Sequence, residues 1–212
     1  MAVQLALLGR EDPDVDWTFS GIQRIPLGLG SWVDRLPGWL NGHERVFDVL
    51  RSQVAWKTTS QILYDREVTT PRLVAKFPDD GPWLPLFDEI AGALSERYAT
   101  PFESVHAAYY RSGADSVAWH RDRDGRERDE SLTAIVSVGE PRPFQLRPYK
   151  RGRATKLTAG WGDLLVMGGR CQLDFEHAVP KVRHAGPRIS LMFRHEKAVG
   201  TLDQSGLPTA KT

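Results

Sequence analysis

The 212 residues, 41% hydrophobic and 26% charged, suffice for one domain with a sizeable core and have the balance of an ordinary soluble globular chain. A formal net charge of +1 gives no global attraction to nucleic acid, so any such partner must meet a local basic face. The single cysteine, Cys171, excludes an intrachain disulfide and fits a reducing cytoplasm, and no apolar run reaches transmembrane length.

Residues 1–10 are apolar but short, lack a basic start and run into an acidic stretch, which reads as an ordinary beginning rather than a signal peptide. Residues 1–30 read as irregular, with a Gly-rich stretch at 26–30. Leu36-Pro37-Gly38 starts a turn. Asn41 is the expected N-cap of a helix whose stripe is Val46, Phe47, Val49 and Leu50. Residues 56–63 read as extended, Thr70-Pro71-Arg72 as a break, 73–77 as a short strand and 78–85 as a loop. A second amphipathic helix is expected over 86–98, with Phe87, Ile90, Leu94 and Tyr98 on one side.

From about residue 102 the texture changes to short runs bounded by Gly and Pro, as in an all-β sandwich or barrel. Candidate strands are 104–110, 117–120, 133–138, 144–147, 164–167 and 188–194. In the last, Ile189, Leu191 and Phe193 take one face while Arg188, Ser190, Met192 and Arg194 take the other. An inward face with two arginines is unfavourable unless an anion meets them. The tail after residue 197 is polar and expected to be loosely attached.

His120 and Asp122 stand two apart, and on extended backbone such residues point the same way. One imidazole and one carboxylate are two thirds of a facial triad, the ligand set of non-haem Fe(II). His-x-Asp alone is a weak signal; alone it reads better as a surface histidine beside the charged run 121–130. A later histidine, His177, and the arginines of 188–194 give it weight.

Together these pieces resemble the AlkB family of Fe(II)/2-oxoglutarate dioxygenases. The likeness rests on His120-x-Asp122, on Gly162-Asp163-Leu-Leu-Val-Met167-x-Gly169-x-x-Gln172, on His177-x-Val179-Pro180-Lys181 and on Arg188-x-Ser190-x-x-Phe193-Arg194. Leu36-Pro37-Gly38, Pro71-Arg72-Leu73, and Tyr110 ahead of Asp115-Ser116-Val117-x-Trp119-His120 extend it over roughly 37–194. It implies a double-stranded β-helix (jelly roll) over about 101–196, an α+β but mainly β fold, with N-terminal helices and short strands of residues 1–100 packed on it.

The resemblance further implies that His120, Asp122 and His177 hold iron. Arg188 would pair with the distal carboxylate of 2-oxoglutarate, and Arg194, Tyr110 and Ser190 would complete the co-substrate site, with O₂ as oxidant. Asp124 and Arg72 would meet the substrate, and Trp119 could stack on a base, although a core role is the blander reading. The reaction implied is demethylation of N-alkylated bases in single- or double-stranded DNA, releasing formaldehyde, succinate and CO₂. Alternatives are the same chemistry on RNA, a protein side chain or a small molecule, or a silent nucleic-acid-binding module. A monomer acting in the cytoplasm is expected.

Three departures from the family pattern stand out. Ala108 and Ser190 replace asparagines, removing amide hydrogen bonds worth ~0.5–1.5 kcal/mol each, and His106 shares their face. The segment 77–85 is also short for a cover over the base. Of the basic run Arg142, Arg147, Lys150, Arg151, Arg153 and Lys156, phosphate contact is expected slightly ahead of a merely solvated hairpin. His184 and His195 read as surface residues, and Cys171 as a small buried hydrophobe.

Overall fold

The alternation in residues 188–194 divides the interior into two layers. A computed structural model describes residues 12–63, 66–77, 83–122, 129–150 and 152–195. In it Arg188–Arg194 (β14) lies mid-sheet, between Ser104–Tyr110 (β7) and Thr133–Gly139 (β9), antiparallel to both. Ile189, Leu191 and Phe193 join one apolar core, whereas Arg188, Ser190 and Met192 face a cavity on the other side.

The remaining elements in chain order are Asp14–Val15 (β1), Gln23–Gly28 (β2), Ser31–Leu36 (β3), Leu40–Asn41 (β4), His43–Gln53 (α1), Lys57–Leu63 (β5), Arg66–Lys76 (β6) and Leu84–Tyr98 (α2). After β7 come Val117–His120 (β8), β9, Arg142–Pro148 (β10), Thr155–Ala159 (β11), Asp163–Gly169 (β12), Cys171–Asp174 (α3) and Phe175–Val179 (β13), then β14. An eight-stranded sheet runs β2-β3-β12-β9-β14-β7-β6-β5 and a four-stranded one β11-β10-β13-β8. This is the jelly-roll architecture expected.

The outer core lies between the large sheet and the helices. Val46 and Leu50 of α1, and Phe87, Ile90, Ala93 and Leu94 of α2, cover Val136, Val166, Leu191 and Phe193. The inner core, with Val33, Ile135, Phe144, Leu146, Leu165 and Met167, fills the space between the sheets. Each such side chain contributes ~1.5–3 kcal/mol on burial. Among the described residues no helix is long and apolar enough to cross a membrane.

Four local expectations need correction. Part of the stretch read as irregular is a hairpin, β2–β3, whose turn residues Leu29 and Gly30 both have positive φ (55° and 76°), as type I′ turns require. The side chains of β2 are exposed or half-buried, so no apolar alternation marked it. Asn41 belongs to β4, paired with Asp14. The residue before α1 is Gly42, left-handed at φ 61° and without a side-chain cap.

Pro71 does not break the chain, because β6 runs through it. The pairing of β6 with β7 begins only at Leu73, and its register against β5 shifts between Thr58 and Ser60. Pro71 therefore sits where a missing N–H is tolerated. Finally, β11 and β13 are strands that sequence reading did not mark. Thr and Lys dilute the first, and Glu176 and His177 interrupt the second.

Candidate active site

His120 ends β8, and His177 lies opposite it in β13. The register then slips, with Val117 facing Val179, so two residues of β8, Ala118 and Trp119, oppose one of β13, Ala178. That bulge turns Val117 and His120 to the same side despite their odd spacing, and both line one cavity with His177 and Val179. Asp122 follows on irregular backbone, and its Oδ1 lies 3.7 Å from Nε2 of each histidine.

The three ligand atoms fall within 4.8 Å of one another, a group able to hold a metal ion. The two 3.7 Å separations are within about 4 Å, the widest that two bonds of ~2.0–2.2 Å to one ion span. The protonation states also suit a cation. Nδ1 of His120 lies 2.9 Å from the Ala118 carbonyl; a carbonyl only accepts, so Nδ1 carries the hydrogen and Nε2 keeps its lone pair.

Burial lowers the His120 imidazole below its ordinary range, although Asp122 opposes the shift. Burial, with His120 adding to it, pushes His177 down to about 3. Both rings are therefore neutral near pH 7. Burial alone would raise the Asp122 carboxyl, but Arg194 and the two histidines outweigh it and hold that carboxyl well below the usual carboxylate range.

The ligand segment hangs on α3. The Asp122 amide donates to Gln172 Oε1 at 2.8 Å, and Arg121 donates to the Leu173 carbonyl at 3.0 Å. Arg121 also lies 3.7 Å from the centre of the Tyr149 ring. Since α3 leads directly into β13, one short helix orients both halves of the triad. Gln172 stood in the sequence pattern with no role attached, and this contact supplies one. Cys171 beside it is a buried thiol pushed up to about 12, chiefly by burial, and so behaves as a small hydrophobe.

The cavity measures about 280 Å³. Arg72, Lys76, Arg188 and Arg194 line it, against Asp122 as the one carboxylate among the described lining residues. Asp122 Oδ2 already accepts from Arg194 at 2.8 Å. Arg188 is 1% exposed, donates to Ser137 Oγ at 2.6 Å, and has no partner for Nε among the described residues. Burial first, and Arg142 among its neighbours, push its guanidinium down to about 10, so it stays charged at neutral pH. Among the described residues no carboxylate lies within ion-pair distance of it, and Asp163 acts only from further off, so this buried cation is suited to an anion.

Tyr110, Ser190 and His106 line the same cavity, and the Tyr110 hydroxyl accepts from Arg72 at 3.1 Å. Ala108 is fully buried. Trp119 is neither in the core nor in the cavity lining; it is half-buried with the Arg147 guanidinium 4.1 Å from its ring centre. Asp124 and most of the short segment 77–85 lie outside the described residues. Arg142, grouped by sequence with a basic run expected to contact phosphates, is instead 0% exposed, while Arg147 pairs with Glu176 at 2.7 Å. His195 is half-buried and accepts from the Leu132 amide at 3.0 Å.

The family model of the 2OG-Fe(II) oxygenase superfamily matches residues 40–194. The alpha-ketoglutarate-dependent dioxygenase alkB homolog 3 of Mus musculus is 30% identical over 197 residues, 82% of this chain and 68% of that protein. This chain belongs to the AlkB family.

The DNA oxidative demethylase ALKBH2 of Arabidopsis thaliana is 29% identical over 213 residues, 80% of this chain and 68% of its own. The solved structure of OsALKBH1 superposes with a TM-score of 0.57 at 14% identity, covering 81% of this chain and 100% of that one. That likeness speaks for the fold. As an AlkB-family member the protein is an Fe(II)/2-oxoglutarate-dependent dioxygenase, and the His120, Asp122 and His177 cluster sharing its cavity with the buried Arg188 fits that cofactor set.

Proposed function

We propose that the protein oxidatively demethylates N-alkylated bases in nucleic acid, DNA foremost, as a direct-reversal repair enzyme. One observation carries the reading: two neutral imidazoles and a carboxylate converge at a cavity whose wall carries a buried arginine with no carboxylate in ion-pair distance among the described residues. The likeness to alkB homolog 3 and to a DNA oxidative demethylase supports the substrate class. Cations at Arg72 and Lys76 on the cavity wall suit a polyanion approaching it.

In this reading His120, Asp122 and His177 are the iron ligands. Bound there, iron with 2-oxoglutarate and O₂ supplies the oxidation. 2-Oxoglutarate becomes succinate and CO₂, one N-methyl C–H becomes C–OH, and the hydroxymethyl group leaves as formaldehyde. Arg188 fixes the distal carboxylate of 2-oxoglutarate by a charged fork, with Tyr110 and Ser190 beside it. Arg194 orients Asp122, leaving Oδ1 toward the histidines. Val117, Ile135, Phe144 and Val179 give the cavity apolar walls that exclude water.

Formaldehyde release tests this. Methylated single-stranded DNA should release it in the presence of Fe(II) and 2-oxoglutarate. Release only from methylated RNA, or succinate formation without either, would move the substrate elsewhere while leaving the oxygenase in place.

A further inference from the structure

Arg142 shares the inward face of β10 with Phe144 and Leu146 and is wholly buried. Its guanidinium donates to three backbone carbonyls: Ser112 at 2.8 Å, Asp115 at 2.8 Å and Pro180 at 2.9 Å. Ser112 and Asp115 precede β8, and Pro180 follows β13. One side chain thus ties together the roots of the two strands that carry His120 and His177.

Carbonyls satisfy hydrogen bonds but do not neutralise a charge. Among the described residues no carboxylate lies within ion-pair distance of Arg142, and its Nε has no partner. Its Cζ stands 5.6 Å from the Tyr110 ring centre, and that of Arg188 stands 5.5 Å from the same point. Arg72 donates to the hydroxyl of that tyrosine. Three guanidinium groups therefore gather on one tyrosine, and the carboxylates of Asp115 and Asp163 reach Arg142 and Arg188 only from beyond ion-pair distance, an arrangement whose mutual repulsion an entering anion relieves. Arg188 lines the cavity and Arg142 does not. From behind Tyr110, Arg142 acts through its field, which carries further in the protein interior than in water.

We infer that Arg142 is a positioning residue of the co-substrate pocket whose charge, added to that of Arg188, selects a 2-oxo acid bearing a second, distal carboxylate. The inference rests on the proposed seating of that carboxylate at Arg188. It predicts that the protein discriminates by charge at the far end of the co-substrate, and that part of this discrimination comes from a residue outside contact range. It also offers a reason why Ala108 and Ser190 are tolerated, since a second cation offsets the missing amides.

The test is calorimetric titration of the Fe(II)-loaded protein under argon with two acids. One is 2-oxoglutarate; the other is 2-oxopentanoate, which has the same five-carbon chain and 2-oxo acid group but ends in a methyl. Arg142→Gln keeps N–H donors for the loop carbonyls, and Arg142→Met fills the volume, so either neutral variant serves if the other fails to fold. Loss of the charge should weaken 2-oxoglutarate roughly tenfold and leave 2-oxopentanoate within about twofold, while Arg142→Lys keeps the preference. Equal losses for both acids, or no loss, would overturn the inference and leave Arg142 only a tie between loops. A wild-type protein with no preference between the acids would instead overturn the seating at Arg188.

Discussion

Arg194 donates to Asp122 Oδ2 through both Nη2 and Nε, at 2.8 and 3.2 Å. It sits six residues along β14 from Arg188, with one arginine at each end of the inner strand face. The pairing satisfies one carboxylate oxygen and leaves Oδ1 facing His120 and His177. Arg194→Met should therefore misorient Asp122 and weaken Fe(II) binding by ~10–100-fold, the usual effect of removing a partner of a metal ligand. Competition against a fluorescent chelator measures it. Unchanged affinity would mean that the pair is only a packing contact.

Gln172 makes the corresponding contact from the backbone side, through the Asp122 amide. Gln172→Leu removes the acceptor at nearly constant volume, and Gln172→Glu restores it. The expected result is weakened iron affinity in the first and substantial recovery in the second, read by the same competition. Equal weakening in both would point to packing around Met167, which Gln172 also touches.

At the other end of the strand, Arg188→Met should raise the 2-oxoglutarate requirement at least tenfold while iron stays bound, since a charged hydrogen bond is worth ~1.5–3 kcal/mol. Steady-state kinetics with the iron content measured in parallel checks this. A normal requirement would place the anion elsewhere.

Acid should destabilise the metal-free protein in a defined window. His177 is pushed down to about 3 in the fold by burial but titrates near ~6.5 in the unfolded chain. Between these values the unfolded state binds more protons, so stability is full above the upper value and falls as pH drops through the window. Thermal melts of metal-free protein from pH 7 to 4 should show this decline, and His177→Gln should flatten it. An equally steep decline in the variant would assign the effect to other groups.

How much of this was legible in the sequence depended on periodicity. The face assignment in β14 came directly from strand alternation, because each residue there packs to one side or the other of a buried sheet. The triad was legible from its residue types. Its geometry was not, because same-side placement of Val117, His120 and His177 depends on a bulge that spacing does not reveal. Arg142 was misread because net charge in a run was weighed ahead of its alternation with Phe144 and Leu146, which marks it as inward. The hairpin β2–β3 escaped notice because its outer strand buries none of its side chains fully.

The most direct measurement of the central claim is mass spectrometry of single-stranded oligonucleotides carrying 1-methyladenine or 3-methylcytosine. Each is incubated with the protein, Fe(II), ascorbate and 2-oxoglutarate, with Asp122→Ala as the control. Loss of one methyl group is expected, requiring 2-oxoglutarate and absent in the variant. An oligonucleotide left unchanged by the wild-type protein while succinate accumulates would contradict the nucleic-acid substrate. Demethylation persisting in Asp122→Ala would contradict the metal site itself.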